Sequence, residues 1–264
     1  MPGHDSPTAA RIGVVSDVHV TPDVDRTGRW NELIHYDRAL PRLAKALAWF
    51  KDEDVDAVFV LGDLTEDGDE ASLHQALDQV KEGVDAPAYV FAGNHDGAVL
   101  DQLSQQVDSR PPLALVDDGV VRGVPFGTAH ITWHGGFRFT ADVEAPDTDD
   151  LLVIATHFPL ISRERAIQAR GLRYAGDLVD VEQHTRALAK RTSPTVVLSA
   201  HLHVDDVHAE QRTLQLVNPP VVEGEGGVSL VTIEPMGIVR REVRALDVEA
   251  RSEHTYRYAD GRWS

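Results

Sequence analysis

Short apolar runs alternate with apolar residues at helical spacing over the first hundred positions. Arg11–Ser16 reads as a buried strand through Ile12, Val14 and Val15. Leu40–Phe50 carries Leu40, Leu43, Leu47 and Phe50 on one helix face. Asp56–Leu61 is a second strand, ended by Gly62. Ala71–Val80 returns to helical spacing through Leu73, Leu77 and Val80, and Ala88–Ala92 is a third strand, ended by Gly93. Val99–Val107 reads as a short helix. Strands alternating with helices at this spacing predict right-handed crossovers and a parallel sheet.

The pattern then changes. Pro111–Gly136 holds strand-like pieces at Leu113–Val116, Gly119–Arg122 and Ala129–Trp133, broken by Gly and Pro, which predicts antiparallel pairing. Ala141–Asp150 is acidic, contains Pro146 and is expected to be a surface loop. Leu151–Thr156 is again an apolar strand, Val181–Arg191 a helix and Thr195–Ala200 a strand. Leu214–Val217, Val228–Ile233 and Ile238–Val243 close the chain as strands of mixed or antiparallel type. No linker divides it. The expectation is one α/β domain over residues 1–264, with a core at 10–244 and a C-terminal extension at 245–264. The aromatics of that extension, Tyr256, Tyr258 and Trp263, are expected to pack on the body or on a partner subunit, which leaves a homodimer open.

Composition narrows the chemistry. The chain has 264 residues, a formal charge of −18 and no cysteine. Disulfides and thiolate metal sites are therefore excluded, and any metal must take nitrogen and oxygen donors. So acidic a surface disfavours broad binding to nucleic acid, which needs Lys and Arg against phosphates. A small phosphate ester in a locally positive, metal-charged pocket stays compatible. Residues 1–10 lack the features of a signal peptide, and no apolar run is long enough to span a membrane, so a cytoplasmic protein is expected.

The polar residues at the strand ends carry the functional signal. Asp17-Val18-His19, Gly62-Asp63, Gly93-Asn94-His95-Asp96, His157 and His201-Leu202-His203 each follow an expected strand. Side chains just past the carboxyl ends of neighbouring strands converge on one crevice of an α/β sheet. Asp17 and Asp63 offer carboxylates; His19, His157, His201 and His203 offer imidazoles; Asn94 offers a carbonyl oxygen. That mixture suits Mn, Fe or Zn better than an all-oxygen cage for calcium or magnesium. Seven donors exceed what one ion would use, but two ions about 3.5–4 Å apart, sharing one carboxylate, would use them all. Placing so many polar groups at apolar strand ends without such ions would be costly.

This ordered set resembles the calcineurin-like metallophosphoesterases, whose pattern is DxH, GD, GNH followed by D or E, H, and GHxH. The resemblance implies a four-layer α/β/β/α sandwich of two mixed sheets flanked by helices. It also implies a centre of two divalent or mixed-valence ions. By position, Asp17, His19 and His203 would hold the first ion, Asp63 would bridge, and Asn94, His157 and His201 would hold the second. A metal-bridging hydroxide would attack the phosphorus. His95, a non-ligand, would bind the phosphoryl group with Asn94 and protonate the leaving oxygen, a role an imidazole can fill near neutral pH. Glu66, Asp67 and Asp96 are the candidates for orienting it. The one departure is Ala200 at the place of the GHxH glycine, which puts the local backbone in question.

Within the family, Gly62–Gly68 and Gly93–Asp96 look most like bacterial class III cyclic nucleotide phosphodiesterases. Glu66 stands where purple acid phosphatases carry a ligand tyrosine, and the protein-phosphatase pattern GDxVDRG is absent. The expectation is hydrolysis of a small phosphodiester. A phosphomonoesterase, a nuclease and a metal-free scaffold on the same fold are the alternatives. Loops 20–36, 110–146 and 158–180 are expected to set specificity. Arg163, Arg165, Arg170, Arg173 and Tyr174 stand either as a phosphate-reading loop or as an exposed amphipathic segment, and His134 is a candidate pocket residue. His4, His35, His74, His130, His184, His208 and His254 are expected to be structural or solvated.

Overall fold

The computed structural model describes residues 9–26, 33–96, 113–114, 117–234 and 237–264. Strand β1 (Ala10–Val15) lies parallel to β2 (Ala57–Leu61), and β2 parallel to β3 (Ala88–Phe91). The crossovers are helix α1 (Ala39–Asp52), entered through one 3-10 turn at Tyr36–Arg38, and helix α2 (Glu70–Gly83). Asp69 caps α2, its carboxylate accepting from the Ser72 amide at 2.9 Å. β4 (Leu113–Ala114) adds to the edge of β3.

The second sheet holds β5 (Asp118–Val121), β6 (Val124–Trp133), β7 (Phe139–Glu144), β8 (Leu152–Ala155), β9 (Thr195–Ser199), β10 (Asp206–Glu210) and β11 (Thr213–Val217). Its order is β10-β11-β9-β8-β6-β5, with β7 paired to the far half of β6. Helices α3 (Glu164–Ala169) and α4 (Val181–Ala189) follow β8. The chain then returns to the first sheet as β12 (Gly227–Glu234), β13 (Ile238–Ala245), β14 (Arg251–Ala259) and β15 (Arg262–Trp263), giving the order β15-β14-β13-β12-β1-β2-β3-β4.

Alternation along the strands builds the layers. Ile12, Val14, Phe59 and Leu61 face the second sheet and pack with Val153, Ala155, Val196 and Leu198. Val15, Val58, Val60 and Val90 face outward and bury the apolar stripes of α1 and α2, among them Leu43, Leu47, Phe50, Leu73 and Leu77. On the outer side of the second sheet, Leu152, Ile154 and Val197 pack with Phe158, Leu160 and Leu188 of the following segments. The result is the α/β/β/α sandwich. Phe59 sits between the sheets with its ring centroid 5.0 Å from that of Phe126 and 5.4 Å from that of Phe91. Burial of one such side chain is worth about 1.5–3 kcal/mol.

Several expectations need correction. Phe139–Glu144, whose last four residues fall in the expected acidic loop, is strand β7; Phe139, Ala141 and Val143 alternate with polar residues and pack on the core of the outer layer. Leu113–Ala114 pairs parallel to β3, not within the antiparallel run. The expected helix Val99–Val107 lies outside the described residues. β10, β14 and α3 carry no strong apolar period and escaped the sequence reading. The last twenty residues join the first sheet: β14 pairs β13 in unbroken register from Ile238↔Arg257 to Arg244↔Arg251. Trp263 is buried between the sheets, and its indole N–H donates to the Arg212 carbonyl at 2.9 Å. No helix among the described residues is long and apolar enough to cross a membrane.

Candidate metal centre

Five parallel strands end at one place. The turns after β1, β2 and β3 bring Asp17, His19, Asp63, Asn94 and His95, and the turns after β8 and β9 bring His157, His201 and His203. Backbone hydrogen bonds zip the first two turns together. Asp17 N donates to Gly62 O at 3.1 Å, Val18 N and His19 N both donate to Asp63 O at 2.9 Å, and Val20 N donates to Leu64 O at 2.9 Å. The last two turns are joined by Ala200 N donating to His157 O at 2.9 Å.

The backbone at the site is unusual. Asp17, His19, Asp63, His201 and His203 have φ of 51°, 52°, 49°, 67° and 52°. Left-handed geometry at a non-glycine residue carries a cost, and such residues cluster at functional sites. Ala200 does not share it: its φ is not positive, and its side chain is packed in the inter-sheet core. Gly93 has a different constraint, because a Cβ there would lie 2.1 Å from Asp63 Oδ1.

The donors gather in two groups. Asp17, His19 and His203 place one ligand atom each within 4.8 Å of one another, and so do Asp63, His157 and His201. Asp63 Oδ2 stands between the groups, 3.7 Å from His19 Nε2 and 3.2 Å from His157 Nε2. Asn94 Oδ1 is 3.0 Å from His157 Nε2. His203 Nε2 is 3.5 Å from Asp17 Oδ1. A third group, His19, Glu66 and His95, satisfies the same distance test. There the bond from His19 Nδ1 to Glu66 Oε2, 2.7 Å long, already occupies the donors.

Each imidazole is steered from behind. Nδ1 of His19 meets Glu66, Nδ1 of His203 meets Glu223 Oε2 at 2.8 Å, and Nδ1 of His157 donates to the Leu61 carbonyl at 2.8 Å. In all three the Nε2 is left for the centre, the arrangement that fixes tautomer and angle in metal sites. Glu223 was not among the sequence candidates. The signal was there, a carboxylate directly after the buried pair Val221-Val222, but only the fold brings it to His203.

A family model for the calcineurin-like phosphoesterases matches residues 10–205. The chain belongs to that family. Its fold is similar to that of a dimetal phosphatase from Danio rerio, with a TM-score of 0.63 and 11% identity over 96% of this chain and 100% of that one. It is similar to GAP50, the anchor in the inner membrane complex of Plasmodium, with a TM-score of 0.60 and 9% identity over 96% and 90%. A purple acid phosphatase from yellow lupin seeds gives 0.56 and 14% identity over 95% of this chain and 54% of that one. At these identities the likeness is one of fold. No curated protein matches the sequence. Family membership makes the chain a metal-dependent phosphoester hydrolase, and the family uses a dinuclear centre.

The residues of this phosphoesterase fit such a centre. Both carboxylate oxygens of Asp17, Nε2 of His19 and Nε2 of His201 are buried with no hydrogen-bond partner among the described residues. Buried polar atoms are rarely left so, and here they are electron-pair donors of the type a transition metal takes. The electrostatics agree. Burial opposes the charged forms of Asp17 and Asp63, but His203 holds Asp17 below its ordinary value, and His157 with His95 holds Asp63 well below. Burial also disfavours the His203 cation, yet Asp17 and Glu223 push its pKa up to about 10. Asp63 does the same for His157, up to about 9. His201 goes the other way, down to about 3, through burial and the charge of His157.

The remaining candidates divide. Burial and the charge of Asp63 raise Asp96, which accepts from the Gly93, Leu64 and Thr65 amides at 3.1, 3.3 and 3.0 Å and so ties the turns together rather than orienting His95. It is the Glu66 backbone carbonyl that accepts from His95 Nδ1, at 2.7 Å. Asp67 bonds Arg26. Arg163 and Arg170 are held by Asp206 at 2.6 and 3.3 Å, and Tyr174 by Asp177, so these three fasten loops. His134 Nε2 meets Thr140 Oγ1 at 2.7 Å within its own exposed hairpin. His74, His130, His184 and His208 sit near carboxylates of Glu70, Asp117, Asp180 and Glu210. His4 lies outside the described residues.

Proposed function

We propose that this phosphoesterase hydrolyses small phosphodiesters, cyclic nucleotides or related compounds, with a pair of Mn, Fe or Zn ions. In this reading Asp17, His19 and His203 hold one ion, Asp63 bridges, and Asn94, His157 and His201 hold the other. The observation that carries it is the pair of three-donor groups with Asp63 between them and orphaned donor atoms in both. Two ions so held would supply an activated water at neutral pH and neutralise the phosphoryl oxygens.

The protein's own contribution is position and a proton. His95 N donates to Asp63 Oδ1 at 2.8 Å, which anchors the residue at the centre. Its Nδ1–H is spent on the Glu66 carbonyl, so the proton on Nε2 is the one that can reach a departing oxygen. Burial works against the charged ring, but Asp63 and the Glu66 carbonyl raise its pKa, which favours the acid form near neutrality.

The charge of the site favours a diester. A phosphomonoester brings two negative charges and usually calls for cationic side chains besides the metals. Here Arg26, Arg163 and Arg170 are each taken up by carboxylates. Glu66 and Glu223 add negative charge around the donors. A monoanionic diester meets less repulsion. The absence of cysteine suits a reducing cytoplasm.

The test is a panel assay with Mn²⁺: cyclic mononucleotides, bis-p-nitrophenyl phosphate, p-nitrophenyl phosphate and sugar phosphates. The reading expects kcat/KM for the diesters to exceed that for the monoesters. A preference for p-nitrophenyl phosphate or a sugar phosphate would move the assignment to the phosphomonoesterases.

A further inference from the structure

Glu66 is held from three sides. Its Oε2 lies 2.7 Å from His19 Nδ1, its Oε1 accepts from Arg26 Nη2 at 2.6 Å, and its backbone carbonyl accepts from His95 Nδ1 at 2.7 Å. One residue therefore sets the ring angles of two imidazoles on opposite duties. The Glu66 side chain is only 3% exposed, so water does not hold its rotamer.

Arg26 is the group that does. It comes from the loop after β1, and its two outer nitrogens part to different carboxylates: Nη2 to Glu66 and Nη1 to Asp67. Its guanidinium carbon stands 5.1 Å from the centroid of the Tyr36 ring, and Tyr36 is buried at the entry to α1. The stacked plane and the divided fork leave little freedom of rotation. Glu66 N also donates to Val20 O at 3.0 Å, so the loop that carries Arg26 and the turn that carries Glu66 are joined through the backbone as well.

We propose that Arg26 is a positioning residue for the hydrolysis: its fork locks the Glu66 carboxylate, and through that carboxylate it aims His19 at the first ion. The inference rests on the role of His19 given under Proposed function. A direct role on substrate does not fit the geometry. A phosphate clamp needs both outer nitrogens on one anion, and here each already serves a separate carboxylate. Loss of the fork would leave the Glu66 carboxylate held by His19 alone, and the His19 ring would loosen while the carbonyl bond to His95 stays. Removal of a group that orients a metal ligand typically costs about 10–100-fold in metal affinity or activity.

The experiment uses the full chain with Arg26→Gln and Arg26→Lys beside the parent. The measurements are metal content after purification without chelator, the Mn²⁺ concentration for half-maximal activity, kcat and KM on bis-p-nitrophenyl phosphate at saturating Mn²⁺, and thermal melting. For Arg26→Gln the half-maximal Mn²⁺ concentration is expected to rise about tenfold and kcat at saturation to fall about tenfold, with KM unchanged. Arg26→Lys is expected to recover most of the Mn²⁺ response, because an ammonium can still bond Glu66. Parental Mn²⁺ response and kcat in Arg26→Gln would overturn the proposal, and so would a raised KM with kcat intact, which marks a substrate contact. If Arg26→Gln does not fold, Glu66→Gln reads the same axis: it keeps the carbonyl bond to His95 but not the ion pair. A parental Mn²⁺ response there would also overturn the proposal. A parent with neither metal nor activity would instead bring down the reading of the site beneath it.

Discussion

His203 turns its Nδ1 to Glu223 at 2.8 Å and its Nε2 toward Asp17 at 3.5 Å. The carboxylate behind the ring raises its basicity and fixes which nitrogen faces the centre. Glu223→Ala is therefore expected to weaken binding of one Mn²⁺ about tenfold while the other site keeps its affinity. Calorimetric titration of the metal-free protein checks this. Two sites of unchanged affinity in the variant would show that Glu223 merely decorates the loop.

Metal binding should release protons. Without metal, His203 and His157 are held protonated up to about 10 and about 9, against the penalty of burial, by the carboxylates they would share with the ions. An imidazolium cannot ligate, so each ion must displace these protons, and apparent affinity rises with pH until the rings are neutral. Between about pH 6 and pH 8 the Mn²⁺ affinity is expected to increase steadily. Titrations in two buffers of different ionisation enthalpy measure the protons directly. An affinity flat across that range contradicts the assignment of these two rings.

Gly93 and Ala200 give opposite expectations for small changes at the site. A Cβ on residue 93 would meet Asp63 Oδ1 at 2.1 Å and Asp63 N at 2.3 Å. Gly93→Ala must push the Asp63 carboxylate aside, so it is expected to lose metal and activity and to cost about 1–3 kcal/mol of stability. Ala200→Gly would restore the family's residue but remove a packed methyl from a position that needs no left-handed freedom. It is expected to cost about 0.5–1 kcal/mol and to leave turnover unchanged. Urea unfolding and a standard rate assay decide both.

His95 is anchored at the centre by its backbone amide, which donates to Asp63 Oδ1, while its Nδ1 is held by the Glu66 carbonyl. His95→Ala is expected to retain both metals and to lower kcat on a diester with a poor leaving group by about 10²–10⁴-fold. The loss should shrink with p-nitrophenolate, which leaves without a proton. An equal loss on both substrates would assign the ring to binding the phosphoryl group alone.

These particulars show what the chain discloses before it folds. That Asp17, His19, Asp63, Asn94, His157, His201 and His203 would gather at one place was legible because each follows an apolar strand, and strand ends share a crevice. The four-layer order came from the family resemblance; the alternation that builds it, with Ile12 and Val14 facing one way and Val15 the other, is seen only in the fold. Glu223 and Arg26 were not legible, because each serves the site from a loop with no period to mark it, across a distance only tertiary structure defines. The same holds for Arg241, which is 1% exposed and joins β13 to Asp205 and to the Val217 carbonyl. Nothing in its neighbours distinguishes it from a surface arginine. β14 was missed because its exposed residues hide the alternation, while the ladder to β13 is made by backbone.

Arg42 and Asp247 tie the stability of the fold to the loop that carries Glu223. Arg42, 1% exposed in α1, bonds Asp247 Oδ2 through Nε at 3.2 Å and Nη2 at 2.7 Å, the Val221 carbonyl through Nη1 at 2.9 Å, and the Gly224 carbonyl. Hydrogen bonding from Arg42 first, and from Arg38 and Lys45 besides, holds Asp247 far below the usual carboxylate range despite some desolvation. A carboxyl depressed in the folded state adds stability at pH above its unfolded value, and that stability drains away as pH falls toward the folded one. Asp247→Ala removes the counter-ion of a buried guanidinium that keeps its two carbonyl acceptors, which is expected to cost about 1–3 kcal/mol near neutral pH. The parent should lose stability steeply below about pH 4, where the unfolded chain takes up the proton, and the variant should lose correspondingly less. Melts of both proteins across that range supply the test. If the gap between them stays constant into acid, Asp247 is not the group that anchors Arg42.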